Sequence, residues 1–311
     1  MRNRIVATCP AGLGNRIKCL VSTLKRCGYY MNKGVYSEPH VYWKEIDDNK
    51  YFYGKFKEFF EYPTLFKEVN NNELEMMEVD AYHGEVEFNK SWKFETLGGK
   101  ELDFKYNELN KSDIDEFLPY FKFIKPSKDI QDVVWAFMNK YKDSFERKEV
   151  IGVHIRNSKS YKITFDGRGK ISTEDKFIKK MKDLLLSNSN YKFLLCTEDK
   201  ETETKFEDIF GKDRIIYFNK KFRGNELNPN FTKEAFVDML LLSKCHIIIA
   251  SFLSTFPEVA WWLGGCKAQV IIPGEEDKEA IAKVWAQLPQ KGEWIHKKIW
   301  RRIKLLWIEK K

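Results

Sequence analysis

Residues 149–156 read Glu149-Val150-Ile151-Gly152-Val153-His154-Ile155-Arg156. Four β-branched residues in so short a run fit a buried strand, and a strand covered on both faces need not alternate polar and apolar positions. The run ends in a histidine and an arginine. In an open α/β sheet, ligands sit beyond the carboxyl ends of the strands, so His154 and Arg156 lie where a ligand would be. Arginine presents a planar fork of donors suited to phosphate, and histidine a directional donor or acceptor. For this segment alone, an arginine paired with a surface carboxylate is the other reading.

Downstream the pattern is regular. Positions 173–186 have helical spacing, with Phe177, Ile178, Met181, Leu184 and Leu185 on one face after a Ser172 or Thr173 start signal. A strand over 191–196, a helix over 201–210 ended by Gly211 and a strand over 214–218 follow. Then come a helix over 232–243, a strand over 246–250, a helix over 254–263 closed by Gly264-Gly265, and a last strand over 269–272. Such alternation implies a parallel sheet with helices on both faces. Polar residues gather at four strand ends: His154 and Arg156, Thr197 to Asp199, Arg223 in the loop after Phe218, and Ser251 to Thr255. The helix start at Ser254 and Thr255 can take a phosphate through its N–H groups, and a plain Ser/Thr cap is the alternative. Asp238 stands in a nearly all-apolar helix, where a carboxylate is costly without a partner. A purine base or a structural hydrogen bond would supply one.

Upstream, residues 4–9 read as a first strand, broken by Pro10-Ala11-Gly12-Leu13-Gly14-Asn15, and a helix follows over 16–26. Gly12 and Gly14 can take positive φ and let backbone approach a ligand closely, and a mere tight turn is the alternative. Asn15 can cap the helix and also face the cleft. Residues 29–125 are rich in aromatics, most of which belong in a core. His40 and His83 have no ligand-like partners nearby and read as ordinary packing or surface residues. The charged segment 142–148 makes a plausible domain link.

At 311 residues the chain is long enough for two ordinary domains, and 43% hydrophobic content excludes disorder as its class. A net charge of +8 with both signs mixed along the chain fits an anionic small molecule, a lipid surface or nucleic acid without choosing among them. The six cysteines form no C-x-x-C pair, and several sit in apolar runs, which points to a reducing compartment. No signal-peptide core or apolar run of 18 residues stands out, so a cytoplasmic protein is expected.

Four motifs together resemble the fucosyltransferase superfamily with α1,2-, α1,6- and protein-O-fucosyl members. They are Gly12-Leu13-Gly14-Asn15-Arg16, Gly152-Val153-His154-Ile155-Arg156, Thr197-Glu198-Asp199, and Asp238 to Ser243 followed by Ser254-Thr255-Phe256-Pro257-Glu258. The ordered set looks closest to bacterial or viral relatives of the rhizobial nodulation and α1,6 enzymes. The resemblance implies a GT-B fold, two Rossmann-like domains facing across a cleft, here 1–147 on the acceptor side and 148–285 on the donor side. It implies an inverting, metal-independent transfer of L-fucose from GDP-fucose to a glycan hydroxyl, with no cofactor beyond that donor. By motif position, Arg156 would bind the β-phosphate, His154 and Asp238 the guanine, and Ser254 and Thr255 the diphosphate. Gly12, Gly14 and Asn15 would approach the donor from the opposite domain, and Asp199 and Arg223 would complete the donor site. Relatives usually follow H-x-R with a second Arg and an Asp, where this chain has Asn157, Ser158 and Lys159. Asp166 and Glu174 are the candidates for a general base that would deprotonate the acceptor, with a solvated carboxylate as the alternative for each.

Residues 286–311 form a third segment, and 294–311 read as a basic aromatic helix. That pattern suits peripheral contact with a membrane surface and a lipid-linked glycan acceptor, or a final helix packed back on the N-terminal domain. A transferase of the same fold using another GDP-sugar is an alternative function, as is a non-catalytic glycan-binding protein. Nucleic acid is not an expected partner, because no RNP, KH or zinc-finger pattern accompanies the basic residues.

Overall fold

The computed structural model describes residues 3–8, 12–46, 52–62, 64–70, 73, 111–156, 168–221 and 229–287. Two parallel sheets organise them. The first joins β1 (Asn3–Thr8), β2 (Ser37–Tyr42) and β3 (Lys67–Glu68) in that order. Helix α1 (Leu13–Asn32) crosses from β1 to β2, and the short α2 (Phe56–Phe59) precedes β3. Helices α3 (Lys111–Phe121), α4 (Lys128–Lys140) and α5 (Lys142–Glu146) lead into the second unit. There the chain runs β4 (Val150–His154), α6 (Glu174–Ser187), β5 (Lys192–Cys196), α7 (Lys200–Phe210) and β6 (Ile215–Ile216). It continues through α8 (Pro229–Leu242), β7 (Ile247–Ala250), α9 (Thr255–Leu263), β8 (Gln269–Ile271) and α10 (Lys278–Gln287). All five strands are parallel, in the order β6-β5-β4-β7-β8.

The pleat explains why β4 is apolar throughout. Ile151 and Val153, with Phe193, Leu195 and Ile249, pack against Phe177 and Met181 of α6 and Phe206 of α7. Val150, Leu194, Ile248 and Ala250 point the other way, toward Phe236 to Leu242 of α8 and Val259 to Trp262 of α9. Both faces are covered, so neither can be polar. Gly152 lies where α8 ends: a Cβ there would run into the Leu242 side chain and sit 3.2 Å from Cys245 Sγ.

The second of these clusters continues into the first sheet, through Ala7, Ile17, Leu20, Val41 and the aromatic group Trp43, Phe52, Phe56, Phe59 and Phe60. Phe60 meets Phe236 of α8 at 5.8 Å, and Phe121 stacks on Trp262 of α9 at 5.0 Å. The aromatics at 52–60 are therefore core, as their density predicts. In the charged segment 142–148, five residues form α5, and Phe145 packs against the core. The expected strand over 214–218 shortens to two residues, and among the described residues it pairs with β5 alone, at the sheet edge. Helix α8 begins three residues early, at Pro229, where a missing N–H costs nothing.

Candidate functional site

The strand order reverses at β4. The chain builds outward to β5 and β6, then returns to the other side of β4 for β7 and β8. Such a reversal opens a crevice beyond the carboxyl ends of the two strands that flank it, here β4 and β7. Both strands end in the predicted polar residues. The Arg156 N–H donates to Ser251 Oγ (2.9 Å), and that hydroxyl donates to the His154 carbonyl (3.0 Å). Ser251, buried at the end of β7, thus ties the two strand ends together. Beyond it, Leu253 adopts φ 52°, a left-handed conformation that costs a β-carbon residue about 1–2 kcal/mol. The Phe252 N–H donates to Ser172 Oγ (3.1 Å), and Ser172 in turn donates to the Pro273 carbonyl (2.8 Å), which holds this strained turn in place.

His154 is 5% exposed, and its Nδ1 has no hydrogen-bond partner. Its ring stacks on Phe256 at 4.9 Å and 19°. Burial, then the Arg156 charge beside it, push its pKa down to about 3. The imidazole is therefore neutral at ordinary pH, with one ring nitrogen a donor and the other an acceptor. That is the right equipment for an uncharged hydrogen-bonding partner such as a nucleobase edge.

The start of α9 closes the other side. Ser254 occupies the cap position, but its side chain makes no capping hydrogen bond. The first turn of a helix carries N–H groups without intrahelical partners and a positive dipole end, which together favour an anion.

Gly14 brings the first sheet's helix to the same place. A Cβ on Gly14 would lie 3.0 Å from both the carbonyl oxygen and Oγ1 of Thr255. Gly14 makes a close approach, but to Thr255 of α9, and neither glycine of the motif uses positive φ. Gly12 has φ −64° and ψ 168°, and Gly14 is already helical. Asn15 does not cap α1: Gly12 takes that position, its carbonyl accepting from the Arg16 N–H at 3.1 Å. Asn15 instead sits in the first turn, with a buried Oδ1 that lacks a partner. Arg16 anchors that turn. Its guanidinium lies 3.7 Å from the Phe52 ring centroid and 4.7 Å from that of Trp43, and Nη1 donates to the Lys44 carbonyl at 2.8 Å.

Other predicted residues have different work. Asp199 caps α7, accepting from the Glu201 and Thr202 N–H groups and from the Thr202 hydroxyl (2.6 Å). Asp238 is buried, and its Oδ2 accepts from Lys220 Nζ at 2.7 Å, so of its two expected partners the structural one is present. Lys220 also lies 3.7 Å from the buried Glu203, which pairs with Lys200 at 3.1 Å. Glu174 pairs with Lys205 at 2.7 Å, which commits its carboxylate to a bridge between α6 and α7. Arg223, Asp166 and the 294–311 segment lie outside the described residues.

Sequence reasoning missed Lys220 and Glu203, whose charged surroundings give no signal. It also missed Lys18 and Glu258, which pair at 2.8 Å between α1 and α9. Glu258 stands in an apolar helix just as Asp238 does, and the same reasoning would have singled it out. Among the described residues, no group of three His, Cys, Asp or Glu is placed to hold a metal ion, and no helix is long and apolar enough to cross a membrane. No disulfide joins the five described cysteines.

No family profile and no curated protein sequence matches the chain. Solved structures do share its fold. A NodZ α-1,6-fucosyltransferase soaked with GDP-fucose is 17% identical, with a TM-score of 0.53 over 85% of this chain and 93% of the other. The fucosyltransferase NodZ from Bradyrhizobium is 14% identical, with a TM-score of 0.51 over 84% and 92%. POFUT1 in complex with GDP-fucose is 10% identical, with a TM-score of 0.51 over 88% and 98%. At these identities the likeness is one of fold. The chain is a mixed α/β protein of parallel sheets matching GT-B fucosyltransferases, in line with the resemblance carried by its motifs.

Proposed function

We propose that this chain, built on a fold it shares with GDP-fucose-binding transferases, moves L-fucose from GDP-fucose to a glycan hydroxyl, with inversion and without a metal. The observation that carries the reading is the convergence at the sheet's switch point. His154 and Arg156 end β4, the start of α9 follows β7, and Gly14 brings the start of α1 against Thr255. Two helix N-termini and an arginine just beyond the end of β4 suit a nucleoside diphosphate. The leaving diphosphate gains negative charge as the sugar bond breaks, and fixed donors at that point stabilise it without a metal. The neutral His154 would read the base. Glu174 is engaged by Lys205, which leaves Asp166 as the candidate to take the acceptor proton. The basic aromatic tail, 294–311, would bring a lipid-linked acceptor to the enzyme; flotation with anionic liposomes that is unchanged on its removal would exclude that role.

Thermal shift with GDP, UDP and CDP tests the nucleotide. A ligand at about 100 times its Kd adds about 2.7 kcal/mol, or roughly 4 °C in Tm for a protein of this size. GDP alone should do so, and GDP-fucose hydrolysis then identifies the sugar. Arg156→Ala and Arg156→Lys should each lose roughly 10²–10³ in turnover while Tm holds. Near-normal turnover in Arg156→Lys would refute the bidentate role, and equal shifts by all three nucleotides would refute the reading.

A further inference from the structure

Lys18 and Glu258 form an ion pair of 2.8 Å in which both side chains are wholly shielded from solvent. Lys18 lies four residues beyond Gly14 on α1, and Glu258 three beyond Thr255 on α9. Those spacings put each pair of residues on one helix face. The Gly14–Thr255 approach and the Lys18–Glu258 pair are therefore successive rungs of a single helix–helix contact. Ile17, Leu20 and Val21 of α1 and Val259 and Trp262 of α9 are all buried, as is Ser22, one turn beyond Lys18.

Removing two charges from water is costly, and replacing a buried pair by apolar side chains is often neutral or stabilising. Stability is thus a poor reason for its presence. Apolar contacts, however, are non-directional, so around the Gly14–Thr255 approach they leave small slides and rotations of one helix on the other inexpensive. A dry ion pair exists at a single offset, and fixing register is the best-attested use of buried polar groups.

We propose that Lys18 and Glu258 are a positioning pair that pins α1 against α9. The pin holds the first turns of both helices on one anion site without either residue touching the ligand. This rests on the nucleotide reading of the site for its consequence, but not for its geometry.

The test is the full-length chain carrying Lys18→Met together with Glu258→Leu, beside the charge swap Lys18→Glu with Glu258→Lys. Three quantities are read: Tm, GDP affinity by calorimetry, and amide hydrogen exchange. The apolar double variant should keep or raise Tm, lose tenfold or more in GDP affinity, and exchange at least tenfold faster over 13–18 and 255–258 with the rest unchanged. The swap should recover part of both losses. Wild-type exchange in those two segments would overturn the pin, as would wild-type GDP affinity. Failure of the apolar variant to fold would overturn it too, since the pair would then be a source of stability. A wild-type chain that does not bind GDP would strike the nucleotide reading alone, and the exchange rates would still decide the pin.

Discussion

His154 offers a quantitative check on the site because its burial has a fixed sign in pH. Its folded pKa lies at about 3, against 6.5 in an unfolded chain, so between those values the unfolded chain binds a proton that the folded one refuses. Stability must therefore fall as pH falls from 6.5 toward 3. From pH 6 to pH 4 the loss from this single group comes to roughly 2–3 kcal/mol. The charges that bear on it, Arg156 and Lys220, stay positive across the window. Carboxylates titrate there as well, so the comparison that isolates the histidine is wild type against His154→Asn. Urea unfolding followed by tryptophan fluorescence at pH 6, 5 and 4 gives the stability difference at each pH. That difference should move by 2–3 kcal/mol in favour of the variant on acidification. A difference constant to within about 0.5 kcal/mol would mean that His154 protonates in the folded state near its ordinary pKa. Its ring would then be reachable by water, and the neutral base-reading role would be lost.

Gly14→Ala should cost about 1–3 kcal/mol and weaken GDP binding, because the new methyl meets the Thr255 backbone, whereas Gly12→Ala, with nothing within 4 Å, should leave both nearly unchanged. Calorimetry and thermal melts on the pair check this, and equal effects would refute close approach as the reason for the motif. Lys220→Met removes the buried cation beside Asp238 and Glu203 and should cost about 3–5 kcal/mol in denaturant unfolding, with Asp238→Asn added to it recovering part. Ser251→Ala strips the clasp from the Arg156 N–H and the His154 carbonyl; a loss of about 1–3 kcal/mol accompanied by weaker GDP binding is expected, and stability loss with unchanged affinity would show that the clasp does not position Arg156.

What the sequence by itself determined follows from local chemistry. Short apolar runs bounded by turn signals fit strands covered on both faces, and helical spacing between them implies parallel crossovers, so the five-stranded sheet was legible from 150 onward. So was the placing of His154, Arg156, Ser254 and Thr255, since strand ends and helix starts fix where polar side chains gather. The same local reasoning failed wherever a side chain's partner comes from far along the chain. Glu174 pairs with Lys205, 31 residues on. Gly14 needs to be glycine because Thr255 presses on it, a fact absent from any window around Gly14. Only the tertiary structure could set α1 against α9, put Lys18 on Glu258, and reverse the strand order at β4. Periodicity reports which face of an element is buried; it carries no record of what buries it.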